Sequence, residues 1–154
     1  MGTLTQALRS HQQISVDTAP FIYLWEKHPR YVKLSEELFG YLSSPEVYGS
    51  TSIIALIEVC IYPQRQGRAD LVTIYENALL HSQQVQMWPV NVEIARQAVQ
   101  LRAAYDIHIP DALHLATAIT AGATLFVTND RRLQKVTEIE VLSFEDYVVA
   151  DNRG

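Results

Sequence analysis

Four acidic residues of this chain stand where hydrophobic packing alone would not place a carboxylate. Asp17 and Asp130 each follow a short run of strand-forming residues, Asp111 opens a helix, and Glu58 interrupts the apolar stretch IIALIEVCIY. Ionised carboxylates share a small space only with a cation, because like charges disfavour one another's ionisation. An all-oxygen set suits Mg²⁺ or Mn²⁺ rather than Zn²⁺. The chemistry indicated is metal-assisted displacement at phosphorus, in which an ion activates water and neutralises charge.

Each acid also has a purely structural interpretation. Asp17 can form a turn, and Glu58 can extend from a half-buried helix into solvent. Asp111 suits any helix start, because a negative charge there meets the positive end of the helix dipole. Asp130 can cap the short segment 131–135. The order and context of the four acids together are more specific than any one of them.

The segment 107–133, IHIPDALHLATAITAGATLFVTNDRRL, predicts a helix followed by a strand, with an acid at the start of the helix and another after the strand. Pro110 suits a first helical turn, and residues 112–121 are almost wholly apolar or small, which predicts a buried helix. Gly122 suits the position just past the helix. Residues 124–128 then form a short apolar run typical of an inner parallel strand. Ligand sites of open parallel sheets lie at the edge where such a strand ends.

Strand-like and helix-like patterns alternate along the rest of the chain. The predicted strands are 13–17, 47–51, 85–88, 124–128 and 140–143. The predicted helices between them include 52–63, capped by Ser52 and ended by Pro63, then 69–81, 91–105 capped by Asn91, and a short closing helix 144–149. This alternation predicts a three-layer α/β/α fold with a mostly parallel central sheet. Right-handed crossovers would bring Asp17 and Asp130 to one edge of that sheet, with Asp111 beside them.

The composition fits one ordinary globular domain over residues 1–154. The hydrophobic fraction is 48% and the charged fraction 19%, which excludes a disordered chain. The net charge of −5 argues against a protein that coats nucleic acid, although a local basic patch beside an acidic site stays open. A lone cysteine, Cys60, fits a reducing compartment. The start lacks a signal-peptide core and no apolar run could span a membrane, so we expect a cytoplasmic protein.

Other polar residues near the acids have both functional and structural interpretations. Thr18 can bond a ligand carboxylate or an attacking water, or be an ordinary turn hydroxyl. His114 lies one helical turn beyond Asp111 and could be a second ligand on that face, but its two flanking leucines favour a packed, hydrogen-bonded histidine. Arg131 and Arg132 can contact an RNA phosphate, or form a solvated pair at the start of a short helix.

Three motifs make the chain resemble the PIN domain family, and within it the VapC-type toxin ribonucleases of toxin–antitoxin pairs. They are VDTAPFIYL, with Asp and Thr after the first strand, STSIIALIEV, with a Glu inside a helix, and IPDALHLATAITAGATLFVTNDRRL, the most specific. The resemblance covers nearly the whole chain and places the family's acids on Asp17, Glu58, Asp111 and Asp130. Thr128 matches a hydroxyl residue that often supports the site.

The resemblance implies a compact parallel sheet flanked by helices and a Mg²⁺- or Mn²⁺-dependent endoribonuclease that leaves 5′-phosphate and 3′-hydroxyl ends. It also implies an antitoxin partner, which would cover the acids, and a homodimer, for which the apolar segment Phe21–Trp25 is a candidate surface. Ala19 is a departure, because many members of the family have Asn or Ser there. That change removes a hydrogen bond near Asp17 but no metal ligand.

The sequence therefore predicts a metal-dependent endoribonuclease that hydrolyses RNA phosphodiester bonds and is the toxin of a type II toxin–antitoxin pair. One alternative is a non-catalytic PIN-like module that binds a partner or RNA, and the presence of all four acids argues against it. Another is a different Mg²⁺-dependent phosphohydrolase with the same α/β layout. The first strand ends in DTAP rather than in an Asp-x-Asp pair, which argues against that alternative.

Overall fold

A parallel β-sheet forms the centre of residues 2–149, the part of the chain that this computed structural model describes. Its strands are Gln13–Val16 (β1), Tyr48–Ser52 (β2), Gln86–Trp88 (β3), Leu125–Thr128 (β4) and Glu140–Ser143 (β5). The helices are Leu4–Leu8 (α1), Thr18–Trp25 (α2), Val32–Leu42 (α3), Ile54–Arg65 (α4), Ala69–Leu80 (α5), Val92–Tyr105 (α6) and Ile109–Thr120 (α7). Two 3-10 helices, Arg131–Lys135 and Phe144–Tyr147, flank β5.

The order of the strands across the sheet is β3-β2-β1-β4-β5, and every pairing among the described residues is parallel. In the central pair, Ile14 of β1 lies opposite Leu125 of β4, and Val16 lies opposite Val127. The two strands therefore end at the same level. The residues that follow them meet at one edge of the sheet, which is where the candidate site lies.

Helices cover both faces of this sheet, which confirms the predicted three-layer α/β/α fold. Side chains alternate across β4, since successive residues of a strand point to opposite faces. Leu125 and Val127 belong to the apolar core that also holds Phe21 and Leu38, whereas Phe126 belongs to a second core with α6 and α7. All three β4 side chains are fully buried. A strand buried on both faces explains the continuous apolar run in the sequence.

Local sequence signals fix the ends of α6 and α7, the helices that lead into the site. The side chain of Asn91 accepts a hydrogen bond from the backbone N–H of Ile94, as predicted for a capping residue. Pro110 lies in the first turn of α7. The chain leaves α7 through Gly122, whose φ of +82° is a left-handed conformation that glycine adopts without steric cost. That turn feeds the chain directly into β4.

Several predicted elements differ from the structure. The helix predicted to begin with a Ser52 cap begins at Ile54, and Ser52 is the last residue of β2. The short helix α1 was not predicted, although Thr3 and Gln6 form the capping box that marks its start. The helix α4 does not stop at Pro63 but continues to Arg65. Pro63 lies in the last turn, and the helix ends two residues after it. The closing segment is a 3-10 turn ending at Tyr147 rather than a helix to residue 149.

The apolar segment Phe21–Trp25 contributes to packing within the domain, since Phe21 is buried and the other four residues are half-buried. Phe21 is buried and packs against Trp25 and Phe39, with ring centroids 5.7 and 5.1 Å away. Trp25 in turn stacks on Tyr75 of α5. These aromatics join α2 to α3 and α5, so their first role is packing. No helix within residues 2–149 combines the length and apolar character needed to cross a membrane.

Candidate functional site

An open cleft of about 360 Å³ at the carboxyl edge of the sheet brings together the four acids singled out in the sequence. Asp17 follows β1 and Asp130 follows β4, while Glu58 projects from α4 and Asp111 from the first turn of α7. The remaining lining comprises Thr18, Ala19, Ile22, Tyr23, Thr128 and Asn129. Carboxylates more than a hundred positions apart in the sequence therefore share one surface depression.

Asp17 is held by two hydroxyl-bearing residues of neighbouring segments. Its Oδ1 accepts a hydrogen bond from the backbone N–H of Thr18 at 2.8 Å, so Asp17 also caps α2. Its Oδ2 accepts a hydrogen bond from the hydroxyl of Thr128 at 2.7 Å. Asp17 is thus a helix-capping residue, rather than the turn former considered from the sequence, and it also lines the cleft. The two bonds fix the orientation of the carboxylate at the end of β1.

Glu58 is held through one of its two carboxylate oxygens. The hydroxyl of Thr18 donates to Oε1 at 2.8 Å, and His114 Nε2 lies 2.5 Å from the same oxygen. Burial alone would raise the pKa of the Glu58 carboxyl, but the interaction with His114 and the hydrogen bond from Thr18 outweigh it, and this pKa lies below its usual value. Glu58 is therefore an ionised carboxylate at neutral pH although its helix is otherwise apolar.

Asp111 shows that the cleft carries an excess of negative charge. Its pKa is raised, first by partial burial and then by the charges of Asp17 and Asp130. A cation bound among these side chains would remove that repulsion, and their oxygen donors are those that Mg²⁺ or Mn²⁺ prefers. The residues present therefore fit a divalent cation, and Asp17, Glu58, Asp111 and Asp130 are those that would hold it.

Asp130 is engaged by an arginine of its own chain. Arg132 Nη2 lies 2.7 Å from Oδ2, and the backbone N–H of Arg132 donates to Oδ1 at 3.0 Å. Asp130 thus caps the following 3-10 helix, and these contacts lower the pKa of its carboxyl. Arg131 points elsewhere and pairs with Asp146 at 2.8 Å. Of the two arginines considered as phosphate contacts, only Arg132 reaches the acids of the cleft.

Sequence patterns did not identify all residues that shape the site. His114 is packed and hydrogen-bonded as predicted, but its partners are the acids themselves, with Asp17 Oδ1 at 3.6 Å in addition to Glu58. Tyr23 lines the cleft and accepts a hydrogen bond from the side chain of Asn129 at 2.9 Å. The D-x-x-H spacing of α7 was a visible signal for His114. Nothing in the sequence paired Tyr23 with Asn129.

One donor atom from each of Asp17, Glu58 and His114 lies within 4.8 Å of the others. Nε2 of His114 is hydrogen-bonded to Glu58, so the carboxylate oxygens of Asp17 and Glu58 are the atoms of this group that are available to a metal ion. The molecule is thus an α/β domain with a cluster of carboxylates at the carboxyl edge of a parallel sheet, where a metal ion could be held.

The chain belongs to the PIN domain family, whose sequence profile matches residues 14–139. That match spans four of the five strands and all four acids of the cleft. A comparison with curated protein sequences gave no match.

Several solved structures share the fold. A VapBC2 complex from Rickettsia felis bound to a promoter DNA fragment aligns with a TM-score of 0.65 and 17% identity, over 85% of this chain and 98% of that one. A toxin–antitoxin complex from Klebsiella pneumoniae gives 0.62 and 18%, over 85% and 97%. The sarcin–ricin loop cleaving toxin VapC20 of Mycobacterium tuberculosis gives 0.59 and 21%, over 73% and 86%. At these identities the likeness establishes the fold.

Proposed function

We propose that this protein is a divalent-metal-dependent endoribonuclease and the toxin of a toxin–antitoxin pair. The observation that supports the proposal most is the gathering of Asp17, Glu58, Asp111 and Asp130 in one cleft. Membership of the PIN domain family adds to it. The chemistry that bound Mg²⁺ or Mn²⁺ supplies there is activation of water and neutralisation of charge on the phosphate.

The residues of this chain would divide the work of RNA hydrolysis between them. Asp17, fixed by Thr18 and Thr128, and Glu58, fixed by Thr18 and His114, present oxygens in set orientations. Water attacks phosphorus, the bond to the 3′-oxygen breaks, and a proton passes to that oxygen. The products are a 5′-phosphate and a 3′-hydroxyl. Preorganised ligands favour the reaction because no reorientation is needed as charge develops.

The test is cleavage of RNA by purified protein, with and without Mn²⁺, followed by sequencing of the product ends. Asp17→Asn should keep the fold, because Asn caps a helix as well as Asp does. Its cleavage rate should fall by more than the ~10–100-fold typical of losing an outer-shell partner. Glu36→Gln, which removes one charge from an exposed position of α3, is the matched control. Equal cutting by Asp17→Asn and wild type would refute the assignment.

We also propose an antitoxin that covers the cleft and inserts an arginine among its carboxylates. The dense negative charge of the cleft attracts a guanidinium as it does a metal ion. The similar structures include toxin–antitoxin complexes, which supports an antitoxin partner for this chain. Co-expression with the neighbouring open reading frame should relieve growth arrest caused by this protein. Arrest that no neighbouring gene relieves would count against the partner.

Self-association is the last part of the proposal. We expect a homodimer, because the resemblance to VapC-type toxins implies one. Light scattering of the purified protein should give about twice the chain mass of 17.4 kDa. A monomer at all concentrations tested would remove this part and leave the nuclease assignment untouched.

A further inference from the structure

His114 has a buried ring whose Nε2 faces Glu58, Asp17 and Thr18 of the cleft. The residue is 2% exposed, and its Nε2 lies 2.5 Å from Glu58 Oε1, 3.2 Å from Thr18 Oγ1 and 3.6 Å from Asp17 Oδ1. A histidine that only filled the core would not need three polar neighbours around one nitrogen. Nε2 of His114 is therefore a hydrogen-bonding group of the site and not only part of the packed core.

The identity of the neighbours fixes the position of a ring proton. An ionised carboxylate only accepts hydrogen bonds, so a nitrogen at 2.5 Å from Glu58 Oε1 must donate. His114 Nδ1 has no hydrogen-bond partner among residues 2–149. If the only ring proton were on Nδ1, a buried N–H would have no acceptor. The lone pair of Nε2 would also face a lone pair of Glu58 Oε1, which is repulsive. His114 therefore carries a proton on Nε2, and that nitrogen has no lone pair for a metal ion.

The two oxygens of Glu58 are in different situations. Both donors, the Thr18 hydroxyl and His114 Nε2–H, bind Oε1, and Oε2 has no hydrogen bond within the described part of the chain. The side chain is 38% exposed and extends from a helix surface beside exposed Ile57 and Ile61. An exposed glutamate has several rotamers of similar energy unless something holds it. His114 and Thr18 supply that hold through one oxygen and leave the other available.

We propose that His114 is a positioning residue that anchors Glu58 through Oε1, so that Oε2 is presented to a divalent cation. The inference rests on the proposed function, because it assumes that the cleft binds such an ion. It assigns two tasks to α7, which supplies Asp111 as an acid of the cleft and, one turn later, the group that orients an acid from α4. Partners that orient metal ligands in this way typically contribute ~10–100-fold to metal affinity.

Calorimetric titration with Mn²⁺ tests the anchor without any activity measurement. His114→Phe keeps a ring of similar size but cannot donate, and should weaken Mn²⁺ binding by roughly 10–100-fold. His114→Gln keeps a donor at a similar distance from the backbone and should bind nearly as well as wild type. Combining His114→Phe with Glu58→Gln should weaken binding no further than Glu58→Gln alone, since the histidine acts through the glutamate. Unchanged affinity in His114→Phe, or additive losses in the double variant, would overturn the proposal.

A second measurement on the wild-type protein covers the case in which His114→Phe does not fold. Nitrogen-15 NMR of the imidazole should show a proton on Nε2 of His114, and Glu58→Gln should shift that proton's signal. A bare Nε2 would overturn the proposal. If wild-type protein binds no Mn²⁺, the metal part of the proposed function fails, and the positioning role fails with it. If wild type binds Mn²⁺ and the His114 variants bind equally well, only the positioning role fails.

Discussion

Thr128 connects two acids of the cleft through a single hydroxyl group. Its Oγ1 donates to Asp17 Oδ2 at 2.7 Å and accepts a hydrogen bond from the backbone N–H of Asp130 at 3.1 Å. The residue is fully buried at the end of β4. The Thr128 side chain thus links the residues that follow β1 and β4, beyond the backbone hydrogen bonds that pair the two strands.

Replacing Thr128 by Val should therefore loosen both acids while keeping the shape of the side chain. Mn²⁺ affinity should fall ~10–100-fold, as for other partners that orient metal ligands. Stability should fall by about 0.5–1.5 kcal/mol, because a part-buried N–H loses its acceptor. Thr128→Ser, which keeps the hydroxyl, is the control and should lose much less affinity. Calorimetry and urea unfolding measure the two effects, and wild-type affinity in the valine variant would contradict the role.

Removing the charge of Asp111 should stabilise the protein when no metal is present. The pKa of Asp111 is raised in the folded state, so the folded protein holds its proton more tightly than the unfolded chain does. Stability is then lost as pH rises from the ordinary value of 3.8 through the raised pKa, and the full penalty is present at neutral pH. Asp111→Asn should accordingly melt at a higher temperature than wild type in EDTA.

The control for Asp111→Asn is Glu93→Gln, which removes an acid from the first turn of α6 away from the other carboxylates. The helix dipole favours both acids, so Glu93→Gln should melt at the same temperature as wild type or lower. With Mn²⁺ added, wild type should gain more thermal stability than Asp111→Asn, because binding to the native state adds to its stability. If Asp111→Asn melted at a lower temperature than wild type in EDTA, repulsion between Asp111 and the charges of Asp17 and Asp130 would not be the dominant effect on stability at this position.

Arg132 should compete with a metal ion for Asp130. Because the Arg132 side chain is exposed, its removal in Arg132→Ala should strengthen Mn²⁺ binding only about two- to five-fold. If Arg132 also contacts the RNA backbone, KM for RNA should rise in the same variant. The slope of log affinity for RNA against log salt concentration should then become shallower by about 1, the amount expected for one lost phosphate contact. Arg131→Ala, whose partner is Asp146, is the control and should leave Mn²⁺ affinity unchanged.

Glu145 should make the stability of the fold sensitive to acid. Hydrogen bonds from Arg30 and the Tyr31 hydroxyl lower the pKa of Glu145 to about 2 and tie the start of α3 to the last 3-10 helix. A depressed pKa stabilises the folded state above the ordinary value of 4.5, and this contribution is lost as pH falls from 4.5 towards about 2. Urea unfolding at several pH values gives the free energy of unfolding as a function of pH. Below pH 4.5 this free energy should change less with pH in Glu145→Gln than in wild type, while Glu36→Gln should follow wild type.

The segment around α7 and β4 was predictable because each of its signals is local. Pro110, Gly122 and the apolar run that follows each act within a few residues, and the structure has the helix, the turn and the strand that they indicate. Parallel pairing then brings strand ends to one edge, so the convergence of Asp17 and Asp130 also followed from the pattern. The strand order β3-β2-β1-β4-β5 could not be predicted in the same way, since the handedness of the crossovers does not determine which strands lie next to each other in the sheet.

The contacts of the cleft could not be predicted because they join distant segments. The D-x-x-H spacing placed Asp111 and His114 on one helix face, but the partner of His114 comes from α4, 56 positions earlier. The same limit applies to Tyr23 and Asn129, which lie 106 positions apart. The sequence pattern also ended α4 at Pro63, whereas the helix continues two residues further, to Arg65.

The insertion of β4 between β1 and β5 also determines when the cleft can exist during protein synthesis. Translation delivers Asp17 and Glu58 early, but β4 and the acids on either side of it emerge only in the last third of the chain. Until then β1 has no neighbour on one side, and the contact that closes the sheet spans more than a hundred residues. The complete acidic cleft therefore cannot form until residues 125–130 have been synthesised and β4 has paired with β1.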